Sequence, residues 1–539
     1  MPATPRPPSA AETLERVIAE REAVKTERDV IKNERDSYKR LYLETLAQCR
    51  KLELGVVGRG REKDLGDPNQ ITMSLIGMLT NEKATPAEPV TEKVREHERT
   101  KPTGRAPLPE KLPRIEVTVL PPEVEQKGLD AFEKIGEDVT ETVERRPASL
   151  VVVRVTKPKF VEKNRDLKFE VKVLQAAPPE LPIERGLAGP ALLADTLVRR
   201  WADHLPLHRL ERIYGRDGLP LSRSTVCDWH LQLTDLVQPL LNAMWKDALT
   251  APYLCTDATG VLVQAEEKCR TGHFFVVAVP ERHVLFGYSP KHNSAAVDEL
   301  LEGYRGTLVA DAHAVYDHLY KDGKVIEAGC WAHMRRYVFK SLASEPQRAR
   351  VGLDHIRQLF LLERTMERLP PDQKKSARQR DARPIVDAFE AWCDATRPTA
   401  LDETPLARAI GYATNQRTAL RRFLDDGRLP IHNNWSEREL RREAVGRRNW
   451  TFLGSDGGGV ANATFMSLIA SCQLHGIDPA EYLRDLLCLI PSWKAADVLD
   501  LAPARWRETS ARELVRNSLA ANVYRRASLG EPEPGASRS

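Results

Sequence analysis

The stretch from Tyr253 to Asp311 most narrows what this chain can fold into. Tyr253-Leu-Cys-Thr-Asp257 leads into Thr259-Gly-Val-Leu-Val263, and two more runs of β-branched and aromatic residues follow at 273–279 and 283–288. Only Pro280-Glu-Arg separates the last two, which is hairpin length. Residues 294–304 carry a helical pattern. Thr307-Leu-Val-Ala310 is an apolar run of the kind buried on both faces; it stops at Asp311, and a further helix is expected from Ala312. Strands in hairpin order, then a helix, then a buried strand, predict a mixed sheet flanked by helices.

In such a sheet, of ribonuclease-H-like order, Asp257 stands on the first strand and Asp311 at the end of the fourth. Taken singly, Asp257 could end an edge strand and Asp311 could cap a helix. Their joint placement favours a site. A third acid, Glu437, follows Leu429-Pro-Ile-His-Asn-Asn-Trp-Ser, and Glu437, Leu440 and Ala444 fall on one helix face. Asn434 and Glu437 also have the spacing of a capping box. Arg438, Arg441, Arg442, Arg447 and Arg448 surround the acid, and Gly446 is expected to end its helix. Transfer of a phosphodiester needs a deprotonated nucleophile and a stabilised leaving oxygen, which two divalent ions held by carboxylates can supply. Hard ions such as magnesium take oxygen ligands, so Asp257, Asp311 and Glu437 should meet around one cavity able to hold two of them.

The rest of the chain divides by pattern. Residues 1–54 read as a coiled-coil helix. One seam carries Val17, Val24, Ile31, Tyr38, Thr45 and Leu52, and the other carries Leu14, Arg21, Arg28, Arg35, Tyr42 and Cys49. The helix would pair protomers; a solitary charged helix uses the same residues. Residues 55–112 form a linker rich in Pro, Thr, Glu and Lys, in which Gly104-Arg105 could enter a narrow minor groove or serve as plain tether. Residues 113–182 make a small β-rich module. Residues 183–249 turn helical, and Leu221-Ser-Arg-Ser-Thr225 opens a helix that puts Arg223 and Ser224 at its start, as in a helix-turn-helix that reads DNA. A helical bundle would show the same signals. Residues 250–475 hold the catalytic core, with a charged helical insertion at about 345–426; residues 476–539 form a C-terminal helical element and a disordered tail.

Composition removes several classes. The charge balance of 81 basic against 77 acidic residues demands no nucleic acid overall, so any basic surface is local. No apolar run approaches membrane length, and no signal peptide opens the chain. The eight cysteines include no Cys-x-x-Cys pair, which excludes a disulfide scaffold and predicts a reduced, cytoplasmic protein. The loop Gly454-Ser-Asp-Gly-Gly-Gly459 lacks the Gly-Lys-Ser/Thr of a P-loop, so ATP is not expected.

Several segments together resemble DDE-type transposases of the insertion-sequence-sixty-six family. They are Thr103-Gly-Arg-Ala-Pro-Leu-Pro109, His204-Leu-Pro-Leu-His-Arg-Leu210, Asp311-Ala-His-Ala-Val-Tyr316, Ala328-Gly-Cys-Trp-Ala-His-Met-Arg-Arg336, His432-Asn-Asn-Trp-Ser-Glu437 with Gly446-Arg-Arg-Asn-Trp-Thr-Phe-Leu-Gly-Ser455, and Ser467-Leu-Ile-Ala-Ser471 with the segment from His475 to Leu483. The resemblance implies a metal-dependent enzyme that cuts transposon ends and joins them to target DNA, with Asp257, Asp311 and Glu437 as catalytic and metal-binding triad. It implies DNA as partner, homo-oligomers, and small companion proteins of the same element. Cys330 and His333 match a Cys-x-x-His signature, read as a structural pair. Two departures stand out. The first acid reads Asp257-Ala258-Thr259 where the family has Asp-Glu-Thr. The β-rich module, zinc-ribbon-like in relatives, has Val124-Glu-Gln-Lys127 and Glu162-Lys-Asn-Arg165 in place of their cysteine pairs, so no zinc is expected. Other readings are a non-catalytic DNA-binding regulator or decayed transposase, or a hydrolytic nuclease of the same fold.

Overall fold

The computed structural model describes residues 108–110, 112–146, 149–162, 173–266 and 268–530, with scattered helical positions between 21 and 42. Most of the expected coiled coil, nearly all of the linker with Arg105, and the tail from residue 531 lie outside the described residues. The protein is a mixed α+β chain in two compact units. One contains residues 328–432; the other contains the described residues of 108–327 and 433–530.

The larger unit begins with a small sheet. Strand β3 (Ser149–Glu162) lies between β1 (Arg114–Thr118), to which it is parallel, and β2 (Phe132–Arg146), to which it is antiparallel; the short β4 (Leu174–Gln175) also pairs with β3. Val151, Val152, Val153 and Val155 of β3 are buried. At the other end of the hairpin Val124, on the short helix α1 (Pro122–Lys127), packs with Phe132 and Phe160. This small apolar cluster joins elements that carry no cysteine or histidine between residues 113 and 182.

Three helices follow: α2 (Pro190–Trp201), α3 (Leu207–Arg216) and α4 (Arg223–Ala248). The carboxyl of Glu144 on β2 meets the start of α2, accepting from the N–H of Leu192 at 2.7 Å and of Arg145 at 2.9 Å. Burial pushes that carboxyl up to about 8 even so. Ser222 caps α4 by accepting from the N–H of Thr225. The helix runs on to Ala248, with Leu233, Val237, Leu240, Leu241 and Met244 continuing one buried stripe into the core.

The second sheet has five strands in the order β7-β6-β5-β8-β9. Strands β5 (Tyr253–Val263), β6 (Arg270–Val279) and β7 (His283–Ser289) form an antiparallel meander, and β8 (Thr307–Val309) runs parallel to β5 after helix α5 (Ser294–Leu300). Asn293 caps α5 through the N–H of Ala296. The helix expected from Ala312 does not form. A short turn of 3-10 helix, Asp317–Tyr320, leads instead to β9 (Ile326–Ala328). Val315 and Tyr316, between β8 and this turn, both enter the core.

One face of this sheet, with Phe275, Val277 and Leu285, packs into the core shared with α4. The opposite face, with Val261, Phe274, Val276, Val284 and Phe286, packs against Leu440, Trp450, Ala463, Met466 and Ala470. Those residues lie on α12 (Asn434–Trp450) and α13 (Asp456–Leu474), so two helices cover that face. On α13, Ser467 and Ser471 accept from the N–H groups of Phe286 and Val284 at 2.7 and 3.1 Å, which satisfies the open edge of β7. Helix α14 (Pro479–Leu489), α15 (Pro503–Ala511), α16 (Glu513–Ala521) and α17 (Val523–Leu529) complete the unit. No helix among the described residues is long and apolar enough to cross a membrane.

The smaller unit is helical: α6 (Trp331–Lys340), α7 (Pro346–Thr365), α8 (Pro371–Ala377), α9 (Arg383–Thr396), α10 (Pro405–Asn415) and α11 (Arg417–Arg421). Trp331 anchors it, edge-on to Phe389 at 5.3 Å and donating from Nε1 to the carbonyl of Leu420. Arg378 is fully buried. It holds both oxygens of Glu363 at 2.7 and 2.8 Å and donates to the carbonyls of Phe423, Asp426 and Leu429.

Candidate active site

The strand register brings two acids side by side. In the parallel pairing Tyr253 faces Thr307, Leu254 faces Leu308, and Cys255 faces Val309. Two residues further along both chains stand Asp257 and Asp311, at the C-terminal end of β8 where the ladder stops. Adjacent strands lie about 4.8 Å apart, so the two backbones emerge as neighbours. Asp257 opposes Val276, which belongs to the face covered by α12. Alternation along β5 therefore aims Asp257 toward that helix.

The helix that carries the third acid covers the same face. The side chain of Asn433, fully buried, donates from Nδ2 to the carbonyl of Thr256 at 2.7 Å and so fixes the start of α12 beside Asp257. Asn433 makes no capping bond with its side chain, and α12 begins at Asn434, so Glu437 is not the partner of a capping box. It sits in the first turn, one turn before Leu440, which packs on Val261 and Phe274. Tyr316 senses the first two acids together. Burial pushes its hydroxyl above the ordinary phenol range, and the charges of Asp311 and Asp257 add to that.

Among the described residues no three His, Cys, Asp or Glu side chains gather closely enough to hold a metal ion. Asp257 accepts with Oδ1 from the N–H of its neighbour Ala258 at 2.8 Å.

The basic residues on α12 differ from one another. The helix does not break at Gly446 but runs to Trp450, because the indole of Trp450 fills the space beside this glycine: a Cβ there would lie 2.7 Å from Nε1. Arg447 therefore stays in the helix. It turns back to β5 and donates to Thr259 Oγ1 at 3.0 Å and to the Gly260 carbonyl, instead of leaving a helix end toward DNA. Arg442 is engaged by Glu439 and Gln473. Arg438, Arg441 and Arg448 are exposed. Arg223, at the start of α4, is exposed and pairs with Glu211 at 3.3 Å; with Ser222, Ser224, Leu207 and Cys227 it lines an open cavity of about 470 Å³. Cys330 occupies the cap position of α6, with His333 one turn on.

Two features escaped sequence reasoning. Glu439 and Glu443, though flanked by arginines in the sequence, are both buried, and Glu443 is bound by Asn462 of α13. The signal was the spacing of Ser436, Glu439, Leu440, Glu443 and Gly446, which is the inward stripe of α12. The second feature is a row of imidazoles beside Asp311. His273 stacks on His292 at 5.0 Å, and His292 meets His313 at 4.7 Å. These residues come from three separate segments, so no local pattern announced them.

Comparison with known proteins agrees with this architecture. Residues 185–461 match the Transposase IS66 family, residues 467–504 the IS66 C-terminal element, and residues 47–117 the Transposase C of IS166 homeodomain. Two similar proteins come from Sinorhizobium fredii (strain NBRC 101917 / NGR234). The uncharacterized protein y4hP is 30% identical over 448 residues, 78% of this chain and 80% of its own. The uncharacterized protein y4qI is 32% identical over 426 residues, 74% of this chain and 78% of its own. On the family match over more than half its length and on these relatives, the chain belongs to the IS66 family of transposases.

Proposed function

We propose that the protein cuts DNA at the ends of its own mobile element and joins those ends to target DNA, using a ribonuclease-H-like core with Asp257, Asp311 and Glu437 as its acids. The observation that supports this reading is the register of β5 and β8, whose ladder ends two residues before both Asp257 and Asp311, together with the packing of α12, the helix of Glu437, on the face of β5 that Asp257 shares. The sheet order β7-β6-β5-β8-β9, a three-strand meander with a parallel strand added beside its first member, supports the fold.

The donor set fits a divalent cation such as magnesium, since all three side chains offer hard carboxylate oxygens and no sulfur. Magnesium keeps waters and takes substrate phosphates, so it does not require a finished cage of protein ligands. Bound there, ions would lower the cost of deprotonating the attacking hydroxyl and of charge on the departing oxygen. In the cut, water attacks phosphorus and a 3′-hydroxyl leaves; in the joining step that hydroxyl attacks a target phosphodiester and a target 3′-hydroxyl leaves. Each step exchanges one P–O bond for another, and no nucleotide cofactor is needed. The exposed Arg223, Arg438, Arg441 and Arg448 supply phosphate contacts, with Ser224 beside Arg223. The N-terminal helix serves to pair protomers, because two ends must meet.

The test uses duplexes carrying the terminal repeats that flank the reading frame. Purified protein with magnesium should nick them at the element boundary and transfer the ends to plasmid. Asp257→Asn, Asp311→Asn and Glu437→Gln should each lower cleavage by at least about 10³-fold while leaving unfolding midpoints and duplex binding unchanged. Cleavage that survives all three changes refutes the assignment. Cleavage without joining would make the protein a nuclease.

A further inference from the structure

Glu443 lies about two turns beyond Glu437 on α12, and its side chain is fully buried (0% exposed). Asn462 of α13, equally buried, donates from Nδ2 to Oε2 of Glu443 at 3.0 Å. The other carboxyl oxygen, Oε1, and the amide oxygen of Asn462, Oδ1, are both buried with no hydrogen-bond partner. Two bare acceptors on one pair of side chains need an explanation, because each loses its water without compensation.

The charged groups around Glu443 do not provide one. Arg447 stands one turn further along α12 but is committed to Thr259 and Gly260 of β5. Arg200 of α2 lies over the rings of Trp201 and Trp450 at 4.5 and 5.4 Å and donates to the Leu205 carbonyl. Glu439, on the same helix, is held by Arg442 and Arg438. Among the described residues none of these makes a hydrogen bond or ion pair with Glu443. One proton resolves both orphans. On Oε1 it creates a donor, and the acceptor that lacks one is Oδ1 of the same Asn462.

We propose that Glu443 is a positioning residue that keeps its proton in the working protein and pairs with Asn462 as a neutral, two-bond acid–amide ring, locking α12 onto α13. Through α12 the ring holds Glu437 in place over β5; this last step rests on the proposed role of Glu437, whereas the ring itself does not. Burial is the main influence on this carboxyl and pushes it up to about 7, against the lowering effects of Asn462, Arg200 and Arg447. The unfolded chain releases the same proton near the ordinary glutamate value of 4.5. The stabilisation is therefore complete below that value and is lost as pH rises through about 7.

Glu443→Gln is the decisive variant, because a glutamine amide reproduces both bonds of the ring without a titrating proton. Urea unfolding of the full chain is measured for wild type and variant at pH about 4 and about 8.5. The difference between the two proteins isolates this residue from Glu144, the other deeply buried acid with a raised value. The two proteins should unfold at similar midpoints at the lower pH, and the variant should be the more stable at the higher pH. A variant that is less stable at the higher pH, or that fails to fold at any pH, overturns the proposal, since a site built for a neutral acid must accept its neutral isostere. In magnesium-dependent cleavage, wild type should fall about tenfold for one pH unit above the titration, relative to the variant. Equal profiles overturn the link from Glu443 to Glu437. If wild type cleaves no DNA at any pH, the proposed function fails, and the unfolding comparison still decides the ring.

Discussion

The bond from Asn433 to β5 offers the sharpest test of how this site is assembled. The ladder between β5 and β8 ends at Cys255 and Val309, and the amide of Asn433 serves the next carbonyl, that of Thr256. Asn433→Ala removes the donor and leaves a buried carbonyl short of a partner. A lost hydrogen bond is worth about 1 kcal/mol net, and an orphaned buried acceptor adds about 1–3 kcal/mol, so stability should fall by roughly 2–4 kcal/mol. Such a loss leaves most of the protein folded, since whole chains hold about 5–15 kcal/mol. The effect on chemistry should be larger in proportion. Glu437 stands one turn after this anchor, and a displacement of about 1 Å can cost about 10²-fold in rate. The assay pairs a urea midpoint with cleavage of an end duplex at saturating protein. About a hundredfold loss of cleavage with duplex binding intact is expected. Asn433→Asp, which keeps the shape but turns an acceptor toward the carbonyl, should be at least as damaging. Wild-type cleavage by a destabilised Asn433→Ala protein would refute the reasoning and leave α12 placed by other contacts, such as that of Arg447.

Two further outcomes are expected. Arg378→Met should lower the urea midpoint by the equivalent of about 3–5 kcal/mol, because Glu363 stays buried while losing its bidentate partner and three carbonyls lose their donor; a loss under about 1 kcal/mol would show that Lys374, 3.2 Å from Glu363, can replace it. Alanine at each of the exposed Arg438, Arg441 and Arg448 should reduce the slope of log affinity against log salt by about 0.9 for duplex DNA, whereas Arg447→Ala should leave the slope alone and lower stability; the reverse pattern would mean that Arg447 leaves β5 to bind phosphate.

Local chemistry was enough for part of this protein. Alternating β-branched runs placed the meander of β5, β6 and β7, since a strand of period two is legible wherever one face is buried. The motif around Glu437 was legible as a helix with acids and arginines, and the family resemblance was legible in several quoted segments, each short enough to survive as a contiguous string. What needed the tertiary structure was every choice between partners. A glutamate at a helical position reads as solvated charge, and only the packing of α13 on α12 showed Glu443 to be buried against Asn462. Two arginines adjacent in sequence read alike, and only the proximity of β5 separated Arg447, which is bound, from Arg448, which is exposed. Gly446 reads as a helix stop, and the helix continues because the indole of Trp450 takes the space a side chain would need. Periodicity reports which way a side chain points relative to its own element; what it meets there depends on segments far away in the chain, and that information exists only once they have packed.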